Sequence, residues 1–591
     1  MAKKSSADYL KKVKTSIESS RRWRKDDGYD GTWRRMKDLY RGRHFDDYKN
    51  EDQMLVNVAF STINVISPSI SVNYPKITVN SVKPENAPNA VIAEAVVNYW
   101  WKKRNIRSEF RRSVKDMLAF GHGWIKVGYR FVEEEQVKLG EEEYSDTASG
   151  GEMTTTTVIR EDSPFAERVS VHDVFVDPDA TSMNDIKWIA QRIRRPISEI
   201  KNDKRYSKLA RESVQVMAVS KYSDDPSRKQ IHDKNIGYAE IWEYYDVVAG
   251  TMCIFSETSD NFLIKPQAMP YSFGQPFVMM RNYDVPDNFY PIGDLESIEP
   301  LQRELNETRS QMMNHRKKFS RKYLYKESAF DQMGRSALES DEDNVMVPVM
   351  SDEPIGSVVT AFPAVINPPE FYNQSNMIIG DIDRISGVSE FQRGAVAEIR
   401  RTATESSLLQ DAANARTSDK LAVVEQAIAE VGRRMIAMAQ QYMTGQQVAR
   451  VTGRDGEPMW VQFDRDYLAG DFDFEVAAGS TQPHNESFRR QMALQMVDAM
   501  APFAGAGIID MPKLASYVLQ FGFGVKNPDE FVHPPAPPQP AVPAAPDQGG
   551  VPPQNVPQPS GGPQTTLPPN VAAMLQGQGG QPPAAPPPPA Q

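Results

Sequence analysis

The residues that most resemble a reactive constellation are two aspartates and a lysine. Pro178-Asp179 followed by Asp185-Ile186-Lys187 fits a pattern in which two carboxylates hold Mg²⁺ and a lysine helps position an attacking water. Only the five residues Ala180–Asn184 separate the halves, and they read as a loop. Matches this short arise by chance in a chain of this length. His122, between Gly121 and Gly123, is a second candidate, but a turn entering a strand accounts for both glycines. The dipeptide Gly-Lys does not occur, so no Walker A loop cradles a triphosphate. The pairs Gly121/Gly123, Gly505/Gly507 and Gly522/Gly524 each lack the third glycine of a dinucleotide-binding turn. Neither Gly-x-Ser-x-Gly nor His-Glu-x-x-His is present, and the seven histidines are scattered. The expectation is a protein with no catalytic residues, no metal and no cofactor. A metal-dependent nuclease using Asp179, Asp185 and Lys187 is the alternative.

The elements that would have to position any site come from 591 residues with a net charge of −10. That length allows about three or four compact units. The single cysteine, Cys253, excludes an intrachain disulfide and a Cys-based zinc site, and fits a reducing compartment. A polar start with no apolar stretch behind it predicts no signal peptide, and no apolar run approaches the ~18 residues of a membrane span. A soluble chain of intracellular origin is expected. Residues 1–50 carry 15 Lys/Arg against 8 Asp/Glu, a basic end on an acidic protein. Such an arm can neutralise phosphate. The favoured reading is an amphipathic helical region, because Trp23, Trp33, Met36 and Tyr40 are spaced for packing.

Helical periodicity runs from Pro84 to Arg112, and strand patterns follow at Phe120–Phe131, Arg168–Asp179, Lys187–Arg194, Gly237–Val248 and Phe277–Tyr283. Residues 133–163 look like an acidic hairpin with an exposed tip. This half is α+β, without the rhythm of a doubly wound sheet. Leu295–Lys322 is strongly helical and ends in Arg316, Lys317, Lys318, Arg321 and Lys322, as the helix dipole favours. A compact insert follows, with strands expected near Val345–Met350 and Gly356–Phe362. Glu370–Ile385 is helical and stops at Gly387. The longest helix spans about Thr402–Tyr442. Its second half repeats Leu421, Val424, Ile428, Val431, Met435, Met438 and Tyr442 as a coiled-coil-like seam, expected to pack within its own subunit. Short strands at Val448–Val451, Met459–Phe463 and Phe472–Val476 precede helices at Asn485–Met500 and Met511–Phe521. From Pro534 to Gln591 there are 20 prolines and one charge, Asp547, a composition that predicts disorder.

Several segments, in order, resemble the portal proteins of tailed bacteriophages, with a flavour of the short-tailed type. They are Trp33 with Leu39-Tyr-Arg-Gly42, Val56-Asn57 through Pro68, Tyr74–Val79, and Phe120-Gly-His-Gly-Trp. Val169–Ala180, the helix from Gly293-Asp294 through Glu299-Pro-Leu-Gln-Arg-Glu-Leu-Asn306, Ile385–Ser389 with Gly394, and Phe474–Thr481 follow. Each fragment alone is weak; their order over about residues 30–500 carries the resemblance.

The resemblance implies a portal fold, α+β, with wing, helical stem, clip and crown in a ring-forming subunit. Residues 1–290 would be the wing with its basic N-terminal arm, 291–322 the first stem helix, 323–369 the clip and 370–386 the second stem helix. Residues 387–401 would form the channel loop, 402–443 a long wing helix, 444–482 wing strands, 483–533 the crown and 534–591 a disordered tail. It implies a homo-oligomeric ring, typically of twelve subunits, at one vertex of the virion. There it would serve as head–tail connector and as conduit for packaging and ejecting double-stranded DNA. Expected partners are the terminase large subunit, the major capsid protein, a scaffold protein and a head–tail adaptor, with no membrane. Assembly in the host cytoplasm would precede residence in the virion. Arg393, Arg400 and Arg401 of the channel loop are the residues expected at the DNA, with Lys317, Lys318, Arg321 and Lys322 as a second group. The plainer reading of that second group is a dipole-complementing helix end. A non-ring scaffold or adaptor is the remaining alternative.

Overall fold

The computed structural model describes residues 2–45, 52–71, 75–139, 153–216, 237–319, 323–340, 344–361, 369–388, 403–445, 447–452, 458–476, 490, 493–500, 511–523 and 525. The chain divides into two units, Met1–Val532 and His533–Gln591; the second, with the Pro-rich segment, lies outside the described residues.

Helix α1 (Ala2–Asp26) turns Leu10, Val13 and Ile17 inward onto Trp242, Cys253, Phe255 and Phe262. The basic end of the chain is therefore an amphipathic packing helix. Its Arg24 is buried, stacked 4.7 Å from Trp33 and 4.3 Å from Phe175, and it donates to the Val174 carbonyl and to Asp30. Gly28, at φ 79°, turns the chain into α2 (Tyr29–Tyr40), and Asn57 caps α3 (Val58–Ile70) by accepting from the Phe60 amide.

Strand β1 (Ile77–Ser81) leads to α4 (Ala87–Lys103) and α5 (Ile106–Phe120). The expected single helix over Pro84–Arg112 is thus two. Asn105 stands between them at φ 50°, the left-handed conformation that asparagine tolerates better than most residues. Strands β2 (His122–Leu139) and β3 (Met153–Val169) form a long hairpin whose tip lies outside the described residues. The stretch expected as one strand from Arg168 breaks at a 3₁₀ turn, Val171–Asp173, before β4 (Val174–Val176). Next come β5 (Trp188–Pro196), α6 (Ile197–Asn202), α7 (Lys208–Ser213), β6 (Tyr238–Asp246), β7 (Thr251–Ser256), β8 (Phe262–Ala268) and β9 (Phe277–Arg281). Strands β4 to β8 make one antiparallel sheet in sequence order, and β3-β2-β9 make another.

Helix α8 (Asp294–Phe319) opens the second half. Strand β10 (Tyr323–Tyr325), α9 (Gln332–Glu339), α10 (Ile355–Val358) and β11 (Val359–Ala361) form the insert around Ala329, Phe330 and Val358. Among the described residues there, only β10 and β11 pair; residues 345–350, expected as a strand, join no ladder. Helices α11 (Pro369–Ser386) and α12 (Ala403–Tyr442) follow, then β12 (Gln447–Thr452), β13 (Pro458–Phe463) and β14 (Phe472–Val476), which pairs with β1. The heptad-like face of α12 is core: Val424, Ile428, Val431 and Met435 are fully buried with Ile77, Trp100 and Leu295 in the largest apolar cluster. Helix Met511–Gly522 packs on residues 493–500 through Leu514, Val518 and Ala493.

Candidate nucleic-acid interface

The expected DNA-facing region is built on α8 and α11. Leu305 and Ile298 of α8 and Ile378 and Ile382 of α11 are buried in one cluster, Ser375 rests on the Met312 sulfur at 3.9 Å, and Gln374 donates to Glu304. The start of α8 and the end of α11 both meet α12, one turn apart, so the two helices run antiparallel. Lys420 of α12 donates to both oxygens of Asp294, at 2.5 and 2.7 Å, and both side chains are buried. Asn282 and Tyr283 donate to the same carboxylate at 3.0 and 3.2 Å. Burial pushes the Lys420 ammonium down, against the pull of Asp294. The carboxylate sits where the α8 dipole favours an anion.

Arg416 lies four residues before Lys420. It donates to the carbonyls of Arg384 and Ile385, the last acceptors of α11, and supplies the positive charge that a helix C-terminus favours. Gly387 follows at φ 71°, where a Cβ would come within 2.9 Å of the Arg416 side chain. Both features favour a glycine at this point. Residues 416 and 420 thus fasten two helix ends to a third helix.

A second set of contacts runs along α8. Gln302 accepts from the Ala59 amide at 3.0 Å and donates to the Val56 carbonyl at 2.7 Å; Asn306 accepts from the Val56 amide at 3.2 Å. Ser310 accepts from Met54 at 2.9 Å, Asn314 donates to the Asp52 carbonyl at 3.0 Å, and Lys317 pairs with the Asp52 carboxylate at 3.3 Å. Side chains at four-residue spacing therefore grip an extended segment, residues 52–57, by its backbone. This ladder had a sequence signature, the polar stripe Gln302, Asn306, Ser310, Asn314. The Lys420–Asp294 pair, which joins residues 126 positions apart, had none.

Of the expected DNA-facing residues, Lys317 stands on α8 in its exposed pair with Asp52. Lys318 belongs to α8, with its side chain outside the description. Arg321, Lys322, Arg393, Arg400 and Arg401 lie outside the described residues.

The nuclease-like aspartates are used otherwise. Asp185 accepts from the amides and hydroxyls of Thr181 and Ser182, bonds that hold its carboxyl well below the usual range. Lys187 pairs with Asp179 at 2.9 Å and with Asp177 at 3.7 Å. Among the described residues no three His, Cys, Asp or Glu side chains converge as metal ligands, and no helix is long and apolar enough to cross a membrane. His122 is fully buried, its ring 4.9 Å from Trp33 and 5.0 Å from Tyr290. Burial pushes it down to about 3, so it is a neutral core group.

The described fold is an α+β body carrying an antiparallel helix pair rooted on one long helix. Residues 133–559, more than two thirds of the chain, match the model of the family described as phage SU10 portal protein, and the chain belongs to that family. It is a phage portal protein. No curated protein matches it. Among solved structures, a chain from the virion of a native gene transfer agent particle aligns with a TM-score of 0.38 and 10% identity, over 82% of this chain and 93% of that one.

Proposed function

We propose that this portal protein closes into a ring, of twelve subunits, through which double-stranded DNA enters the head during packaging and leaves it at ejection. In this reading residues 1–290 and 402–482 form the wing, α8 and α11 the stem, 323–369 the clip, 387–401 the channel loop and 483–533 the crown. The family match and the α8–α11 pair together support it, and the pair is the single observation that carries it. A helix of 26 residues rises about 39 Å at ~1.5 Å per residue. Duplex DNA presents about one charge per 1.7 Å of axis over that span. A ring multiplies every lumen-facing side chain by the subunit number, so one arginine per subunit becomes a belt of cations. Few such belts leave the DNA free to slide, and an acidic chain of net charge −10 suits a conduit that surrounds DNA without gripping it.

The ring would be the docking platform for the terminase large subunit and later for head–tail adaptor proteins, seated among copies of the major capsid protein and assembled with scaffold in the host cytoplasm. The ATP chemistry would belong to the terminase. Negative-stain microscopy and light scattering of the purified full chain test the proposal. Rings with a central opening and a mass near 797 kDa, twelve times 66.4 kDa, are expected. A monomer or small oligomer with no axial opening, in solution and in particles, would point to a non-ring adaptor.

A further inference from the structure

The α8 ladder contains a histidine whose two nitrogens have opposite obligations. His44 Nε2 lies 2.8 Å from the Leu39 carbonyl, which can only accept, so Nε2 carries the proton. Nδ1 lies 2.7 Å from Asn306 Nδ2 and must therefore accept. The Asn306 carboxamide cannot be turned round without loss, because its oxygen accepts from the Val56 amide and from Gln302, both at 3.2 Å. Asn306 and Gln302 are buried, so bonds lost there are not replaced by water.

We propose that His44 and Asn306 form a pH-sensitive latch, which holds residues 52–57 on α8 while the imidazole is neutral and releases them when it is protonated. A proton on Nδ1 would set two donors against each other at 2.7 Å. Relief requires either that Asn306 flips, turning its amino group toward the Val56 N–H and Gln302, or that the imidazole swings away. The flip breaks the central rungs of the ladder, and the swing leaves the buried Asn306 amino group without its acceptor. Among the described residues the groups bonded to the imidazole are neutral, the Leu39 carbonyl from α2 and the Asn306 carboxamide from α8. The charged neighbours in sequence are Arg41 and Arg43 beside it, Arg303, Glu307 and Arg309 within a turn of Asn306, and Asp52 on the held segment. Burial pushes the imidazole downward from 6.5, so release falls on the acid side of that value.

Hydrogen exchange on the assembled full-length protein at about pH 8 and about pH 5, corrected for intrinsic rates, tests the latch. Protection at Val56 and Ala59 should fall by at least about tenfold at the lower pH, the worth of one buried hydrogen bond. The helix α4 amides provide the reference. His44→Gln keeps one donor and one acceptor without a titrating group, so its protection should be the same at both pH values. Asn306→Asp offers protonated His44 an acceptor and should preserve protection at the lower pH. The latch is wrong if wild-type Val56 is equally protected at both pH values, or if His44→Gln or Asn306→Asp loses protection on acidification as the wild type does.

Discussion

Lys420 is the sole described cation on the Asp294 carboxylate, and through that contact a residue in the middle of α12 fixes the first turn of α8. Arg416, one turn earlier, fixes the last turn of α11. The geometry at the base of the helix pair is therefore set by α12 rather than by the insert that joins the pair's far ends.

Removing one member of a buried pair strands the other. Lys420→Met is expected to destabilise the subunit by about 3–5 kcal/mol. The double variant Asp294→Asn/Lys420→Met should cost clearly less than the sum of the single changes. Urea denaturation of the four proteins measures the coupling. Strict additivity would show that the two side chains do not support each other.

Two glycines at positive φ should respond differently to alanine. At Gly121, φ 89°, a Cβ would lie 2.1 Å from the Pro291 carbonyl oxygen, whereas at Gly28, φ 79°, nothing lies within 4 Å. Gly28→Ala should cost about 1–2 kcal/mol, the conformational term alone. Gly121→Ala should cost more than ~2 kcal/mol, because backbone must move as well. Equal shifts in denaturation midpoint would remove the steric argument.

The Asp116 carboxyl receives Arg168 at 2.5 and 2.9 Å, yet burial pushes it up to about 6 from 3.8. Between those values the folded protein holds a proton that the unfolded chain has given up. The stability this group contributes is full below 3.8 and is lost as pH rises through about 6. The difference in unfolding free energy, wild type minus Asp116→Asn, should therefore fall by roughly 1–3 kcal/mol between about pH 4 and about pH 7. A difference that rises with pH would show that Arg168 prevails over burial.

Arg393→Ala and Arg400→Ala test the channel-loop assignment. If the proposed ring and channel loop hold, each should leave assembly intact while changing the length of DNA packaged or its retention, since each would remove one belt of cations. Unchanged packaging and retention in both would place these arginines away from the DNA.

Much of the architecture was legible because long amphipathic helices announce themselves. The apolar faces of α8, α11 and α12 fall at three- and four-residue spacing, and all three stand where the pattern put them. Strands β7 and β8 were invisible for opposite reasons. Met252 to Ser256 is buried on both faces and shows no alternation, while β8 contains Pro266, tolerable because β8 is the edge of its sheet. Asn105 hid a helix break inside an unbroken apolar rhythm. The site was less legible still: Lys420 and Asp294 find each other only through the fold, as do His44 and Asn306.

The position of α1 has a practical corollary. Leu10, Val13 and Ile17 cover Trp242, Phe255 and Phe262, and Arg21 pairs with Glu257 at 2.7 and 2.9 Å. Helix α1 is thus a lid on the β4–β8 sheet, and trimming it to simplify expression would leave tryptophan and phenylalanine facing water. Such a shortened subunit would be expected to clump before it could assemble.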